Sequence, residues 1–169
     1  MLGVRFRLDL MKSWLGSILF LGLASGLAYA ILNYTLSPDT VANPNQQLPH
    51  YSSAFWDTVV RKGGHFAAFG AFAGSVYLAL ITAPYPKLNP WLAASFIAMG
   101  LSLGSEVGQR WVPGRYSNST DIAIDAAGIA TSLLLLTVIR HLWRKRLSRR
   151  AEVNQPAAVE RQLTKALLE

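Results

Sequence analysis

Residues 14–36 read WLGSILFLGLASGLAYAILNYTL, an apolar stretch without a single charged side chain. About 20 predominantly apolar residues are enough for an α-helix to cross the hydrocarbon core of a bilayer. Three further apolar blocks follow, from about Gly64 to Ala83, from Trp91 to about Val107, and from Ile122 to about Trp143. No soluble fold accounts for four such blocks in 169 residues. The sequence therefore predicts an all-α, polytopic membrane protein, a compact bundle of four transmembrane helices.

Composition narrows the class of partner. The chain is 51% hydrophobic and 15% charged, and it contains no cysteine, which excludes disulfide and thiolate chemistry. Its formal net charge of +7 is a pattern also found in nucleic-acid-binding proteins. Here, however, the basic residues flank apolar blocks, where anionic lipid headgroups attract them. We therefore expect membrane lipids, and not nucleic acid, as partners.

The amino terminus imitates a secretory signal. Arg5, Arg7 and Lys12 precede an apolar run that includes AYA at residues 28–30, which resembles a cleavage site. The apolar run continues past Ala30 and is longer than a typical signal core. We therefore expect it to be retained as the first transmembrane helix.

The distribution of basic residues predicts the orientation. Both ends of the chain are rich in Lys and Arg, and cytoplasmic segments carry an excess of these residues. We expect a cytoplasmic amino terminus at residues 1–13, a transmembrane domain at 14–143 and a basic cytoplasmic tail at 144–169. The loops at 37–62 and 109–120 then face outwards. The expected location is the plasma membrane, with four spans.

Small residues recur at a spacing of four in every apolar block. In lipid this spacing lets helix backbones approach closely. The pattern predicts close helix packing at these positions: Gly22 and Gly26, Gly70 and Gly74, Gly100, Gly104 and Gly108, and Gly128 with Ser132.

Ionisable residues gather at the predicted outer end of the helices. Pairs three or four residues apart lie on one helical face; they are Lys62 with His65, Glu106 with Gln109, and Asp121 with Asp125. A carboxylate near a helix carboxyl end is unfavourable, because it opposes the helix dipole. We therefore expect Glu106 to have a basic partner among Lys62, His65 and Arg115.

Two interpretations of these charges remain open. Intramembrane ionisable residues usually mark function, but a purely structural ion-pair network, with Asp121 as a helix cap, is the alternative. The basic residues Arg61, Lys62, Arg110 and Arg115 accompany Gly63 and Gly64 at the expected start of the second helix. Free N–H groups at a helix start favour anions. These features favour a pocket for phosphate, pyrophosphate or carboxylate.

Two motifs resemble those of the VanZ-like membrane proteins, over roughly residues 14–143. RKGGHFAAF at 61–69 resembles the family's Lys, two variable positions, His-Phe and a later aromatic residue. EVGQRWVPGRYSNSTDIAIDAAG at 106–128 resembles its Glu and Gln, Pro-Gly-Arg loop and Asp. The polar set that the resemblance implies is Lys62, His65, Glu106, Gln109, Arg115 and Asp121. The chain departs from the family pattern at Phe69, usually Tyr, at Asp125, usually Asn, and at Ser132, usually Gly.

The resemblance implies a cell-envelope setting, because the family is associated with glycopeptide (teicoplanin-type) resistance. We expect an anionic lipid or envelope precursor to bind at Lys62, His65, Glu106, Gln109, Arg115, Asp121 and Asp125. The alternative is an enzyme acting on a lipid-linked phosphate or acyl group, with His65 and Glu106 as acid and base. A transporter is disfavoured, because four short helices carry no charge at mid-depth. No reaction-defining motif, metal site or cofactor site is predicted.

Overall fold

The protein is all-helical throughout the part of the chain that its structure, a computed structural model, describes. The backbone is described for residues 2–36, 54–84, 88–113 and 119–168, and side chains for 11, 13–36, 59–84, 88–113 and 119–149. Four helices occupy these ranges: α1 at Leu2–Leu36, α2 at Ala54–Thr82, α3 at Pro90–Gln109 and α4 at Ser119–Leu168. The prediction of an all-α protein is confirmed.

Each helix contains a segment long and apolar enough to cross a membrane. The four segments are Ser13–Leu36, Val59–Thr82, Pro90–Gln109 and Ser119–Arg149. In α3, exposed Trp91 lies near the start of the helix, and exposed Trp111 follows its end. Twenty helical residues rise about 30 Å, the thickness of the hydrocarbon core, and tryptophan is enriched at both interfaces. The chain is a multi-pass membrane protein, as predicted.

The helices extend beyond the apolar blocks. The second block was expected to begin near Gly64, but α2 begins at Ala54. The carboxyl-terminal tail, residues 144–169, is likewise helical almost to its end, because α4 continues to Leu168. Hydropathy identifies only the part of a helix that lies in lipid. Residues such as Ala, Glu, Gln, Lys, Arg and Leu also favour a helix in water, so a helix can continue beyond its apolar segment.

The chain divides into two units, Met1–Leu133 and Leu134–Glu169. The first holds α1, α2, α3 and the first part of α4. The second is the remainder of α4, and its basic side chains from Arg144 to Arg149 are exposed. All the residues of the candidate site that the structure describes belong to the first unit.

Within the first unit α2 is the central helix. Half of its apolar segment is buried within the protein, against 28% or less for the other three. Its buried side chains include Phe69, Phe72, Val76 and Tyr77, and it packs against both α1 and α3. A helix surrounded in this way is positioned by its neighbours on several sides, so its polar residues have defined surroundings.

Hydrogen bonds fix α1 against the far end of α2. The Ser13 hydroxyl donates to the Thr82 carbonyl at 2.6 Å, and Ser17 donates to the Ala79 carbonyl at 3.2 Å. The start of the α1 span therefore meets the end of α2, and the two helices run in opposite directions. At the other end of the span, Leu36 lies against Gly108 near the end of α3.

The backbones of α2 and α4 touch at two glycines. A methyl group added to Gly128 would lie 2.2 Å from the Phe66 carbonyl oxygen, and one added to Gly70 would lie 3.0 Å from the Gly128 carbonyl oxygen. The predicted close packing is thus confirmed at Gly70 and Gly128. It is wrong for Gly22 and Gly26 in α1 and for Gly100 and Gly104 in α3, where such a methyl group would meet nothing within 4 Å among the described residues. No helix of the described ranges packs closely against these four glycines.

Helix α3 presents one buried face whose character changes along its length. Pro90 begins the helix, and the side chain of Asn89 caps it by accepting hydrogen bonds from the N–H groups of Trp91 and Leu92. The buried face begins with alanines and ends with polar residues: Ala94, Ala98, Ser102, Ser105, Glu106 and Gln109. The polar end of α3 is the end that meets α1 at Leu36.

Candidate functional site

The centre of the site is a contact between an imidazole of α2 and a carboxylate of α4. The Nδ1 atom of His65 lies 3.2 Å from Oδ1 of Asp125. Both residues adjoin the glycine contact, since Phe66 follows His65 and Gly128 comes one turn after Asp125. These side chains are short, so the close approach of the two backbones is what brings them into hydrogen-bond range.

Helix α3 contributes the second contact of this carboxylate. The Ser102 hydroxyl donates a hydrogen bond of 2.7 Å to Oδ2 of Asp125. Asp125 has no exposed surface, and the His65 side chain is 13% exposed. Burying a carboxylate is costly unless both oxygens are hydrogen-bonded. Here each oxygen has a partner, and the three residues join three helices at one point.

Further acidic residues surround this contact. Glu106 is 3% exposed and Gln109 is 5% exposed, both on the buried face of α3. Glu106 and Asp121 lie near His65. We refer to His65, Ser102, Glu106, Asp121 and Asp125 as the polar cluster. Its members come from the first half of α2, the end of α3 and the start of α4, as the predicted topology requires.

The other sequence-predicted residues have varied positions. Lys62 is half-buried and makes no ion pair with any residue of the described ranges, and Asp121 is half-buried in the first turn of α4. Arg115 lies outside the described residues. The expected basic partner of Glu106 therefore stays a prediction.

The expected helix start at Gly63 and Gly64 is wrong. Both glycines lie well inside α2, which begins at Ala54. At this depth a backbone N–H group donates to the carbonyl four residues earlier in the helix and is not available to a ligand. Any anion bound near this point must be held by side chains such as Arg61 and Lys62.

Ser102 and Phe69 also contact the His65–Asp125 pair, which the sequence motifs did not indicate. Ser102 was missed, although it lies four residues before Glu106 and therefore on the same face of α3. Phe69 is almost fully buried and stacks on His65, with ring centroids 6.2 Å apart and planes inclined by 16°. The carboxylate bonded to His65 is that of Asp125, the position where the chain departs from the family's usual Asn.

A groove of about 320 Å³ adjoins the polar cluster, between α1 and α2. We call it the α1–α2 groove. His65 belongs both to its wall and to the polar cluster, so the two features are continuous. Eleven residues line it: Leu27, Ala30, Ile31, Tyr34, Thr35, Val60, Arg61, Gly64, His65, Ala68 and Phe69.

The cluster does not form a metal site within the described part of the chain. No group of three or more His, Cys, Asp and Glu residues there is arranged to hold a metal ion. What the arrangement offers is a half-buried imidazole fixed by a carboxylate, beside an apolar groove and two cationic side chains.

Comparison with known proteins supplies one match. A family model described as VanZ/LLP1 matches residues 13–140, which include α3 and all the described residues of the polar cluster. Searches of curated proteins and of solved structures find no match.

Proposed function

The chain belongs to the VanZ/LLP1 family, and from this premise we propose that it binds an anionic lipid or lipid-linked precursor of the cell envelope. The polar cluster and the neighbouring cations are the proposed binding site. The proposed setting is the plasma membrane, with both termini in the cytoplasm and the site at the outer surface. The basic ends of the chain support this orientation.

The observation that carries the proposal is the position of His65. It pairs with a fully buried carboxylate and at the same time lines the α1–α2 groove. Ionisable residues inside a membrane are costly, and they usually face the bundle interior and mark a functional site. A structural ion pair alone would not require a groove beside it.

Cationic side chains next to the groove support an anionic ligand. Arg61 is exposed and lines the groove, and Lys62 is half-buried with no ion pair among the described residues. Arg and Lys both bind phosphate, Arg through its planar fork and Lys as a point charge. Arg115 joins them in the proposal on the strength of the family motif.

Lipid mass spectrometry on the purified protein tests this function. We expect wild-type protein to retain an anionic lipid, and Arg115→Ala to retain roughly tenfold less, because a charged hydrogen bond contributes about 1.5–3 kcal/mol. Arg144→Ala, an exposed cation in the second unit, is the matched control. Equal lipid content in all three proteins would overturn the proposal.

A second candidate function is catalysis, and the His65–Asp125 geometry favours it. A carboxylate bonded to one ring nitrogen holds an imidazole in the orientation that lets its other nitrogen act as a base. The proposed enzyme acts on a lipid-linked phosphate or acyl group, with His65 as base and Glu106 as acid. Release of phosphate or fatty acid from a purified lipid should then vanish in His65→Gln and in Glu106→Gln. Absence of turnover in the wild type would leave binding alone.

The link to glycopeptide resistance is a further part of the proposal, and the family resemblance supports it. If the site acts on envelope lipid, deletion of the gene should increase sensitivity to teicoplanin. Wild-type protein should restore growth, and Lys62→Ala should not. Unchanged susceptibility after deletion would remove resistance from the function while leaving lipid binding to its own test.

A further inference from the structure

The wall of the α1–α2 groove is almost entirely apolar, and the one arginine that lines it, Arg61, lies towards one end. At its deep end are Leu27 and Phe69, and at the other end are Tyr34 and Arg61. Because α1 and α2 run in opposite directions, these pairs lie at matching depths. From Leu27 to Tyr34 helix α1 rises about 10 Å. An elongated amphiphile with an apolar body and one polar end has the same pattern.

We propose that the groove holds one acyl chain of an anionic phospholipid, with its phosphate beside Arg61 and Lys62. This inference rests on the proposed function and adds the class of lipid and the position of its chain. The chain lies between α1 and α2 with its end towards Phe69. The headgroup lies at the end of the groove lined by Tyr34 and Arg61.

Depth and charge both match a phospholipid. The groove is about 10 Å long, which is within the thickness of about 15 Å that one leaflet contributes to the hydrocarbon core. Arg61 lines one end of the groove, and the half-buried Lys62 is the next residue. A negatively charged headgroup is the complement of these two cations. The other chain of the lipid stays in the bilayer.

Small residues leave the α1–α2 groove open. Gly64 and Ala30 are exposed, and both line the groove from opposite helices. A methyl group added to Gly64 would meet nothing within 4 Å. The position above Gly64 is therefore open, and a larger side chain there would occupy the groove without pushing the helices apart. Gly63 is equally open and exposed, but it does not line the groove.

These two glycines give a matched pair for a photo-crosslinking experiment. The protein is reconstituted in phosphatidylcholine vesicles that contain phosphatidylglycerol with a diazirine near the end of one acyl chain. A phosphatidylcholine probe with the same chain is the second arm, and a diazirine-bearing polyprenyl phosphate is the third. Labelled peptides are then mapped in wild type, Gly64→Leu and Gly63→Leu.

We expect the phosphatidylglycerol probe to label peptides that contain residues 27–31 or 65–69. Labelling should fall at least about fivefold in Gly64→Leu, as expected when a side chain overfills a site, and stay unchanged in Gly63→Leu. Ala30→Phe, which fills the groove from the other helix, should repeat the loss if Gly64→Leu is poorly folded.

Equal labelling in the two glycine variants, or labelling confined to other helices, would overturn the groove as the binding site. It would leave the proposed function standing if lipid retention still depended on Arg115. Groove labelling by both phospholipid probes alike, lost in Gly64→Leu, would instead overturn the anionic selection of the proposed function. Preferential labelling by the polyprenyl phosphate probe would overturn the proposal that the ligand is a phospholipid and would identify a polyprenyl lipid in its place.

Discussion

Replacing Gly128 by Ala should separate α2 from α4 at the point where the site is assembled. The added methyl group would lie 2.2 Å from the Phe66 carbonyl oxygen and 3.1 Å from the Phe66 Cα atom. Both neighbours are backbone atoms, so no side chain can rotate away. Carbon atoms pack at about 3.5–4.0 Å, and the two helices must therefore move apart by roughly 1 Å.

This displacement sets the size of the effect. The His65–Asp125 contact is 3.2 Å long, and a shift of about 1 Å removes it as a hydrogen bond. Overpacking costs about 1–3 kcal/mol, and breaking a buried ion pair costs about 3–5 kcal/mol. The helices can relax part of this strain. We expect Gly128→Ala to lower the free energy of unfolding by at least about 2 kcal/mol.

Thermal unfolding in detergent, followed by circular dichroism, measures the effect against a matched control. Gly104→Ala makes the same chemical change at a helical position with nothing within 4 Å. Because Ala is a better helix former than Gly, it should be neutral or stabilising by up to about 1 kcal/mol. Gly70→Ala, at 3.0 Å from a carbonyl oxygen, should fall between the two. Equal melting temperatures for the Gly128 and Gly104 variants would refute the close contact.

Three further outcomes are expected. Asp125→Asn keeps hydrogen-bonding partners for Ser102 and the imidazole and should lower the free energy of unfolding by about 1 kcal/mol. Asp125→Ala removes both partners and should lower it by about 3–5 kcal/mol. Equal melting temperatures for the two variants would contradict the buried pair. Ser17→Ala should lower the free energy of unfolding by about 0.6 kcal/mol, because the Ser17 hydroxyl bonds to another helix. Ser25→Ala should change it by nothing measurable, because the Ser25 hydroxyl bonds within its own helix. The reverse order would contradict the contact of α1 with α2. In this cysteine-free chain, a cysteine at position 52 in place of Ser52 should react with an impermeant thiol reagent in intact cells, while one replacing Ser148 should not; labelling at Ser148 alone would reverse the orientation.

The fold was predictable because lipid imposes a simple rule on sequence. A segment such as 14–36 must be apolar along its whole length, so hydropathy alone gives the number of helices and their order. The ends of the helices were less predictable, because residues such as Asp57 and Arg61 belong to α2 but precede the apolar block expected to begin near Gly64. That extension moved Gly63 and Gly64 into the helix and removed the expected N–H site.

The site was predictable as a neighbourhood but not as a set of contacts. Spacing placed His65 and Asp125 at the same end of the bundle. It did not show that Asp125 would be bonded to His65 and Ser102, because which face of α3 meets α4 depends on packing. The same limit applies to the glycines. Gly128 and Gly104 each have a small residue four positions away, but of the two only Gly128 meets the backbone of another helix.

The most direct test of the central claim is to measure lipid binding and stability together in Lys62→Ala. Delipidated protein is titrated with fluorescent phosphatidylglycerol, and its melting temperature is recorded without added lipid. We expect the affinity for the lipid to fall roughly tenfold or more, because a charged hydrogen bond to the phosphate is lost. We expect an almost unchanged melting temperature, because Lys62 makes no ion pair with any described residue. Strong destabilisation with unaltered affinity would contradict the binding site and leave a structural network of charges.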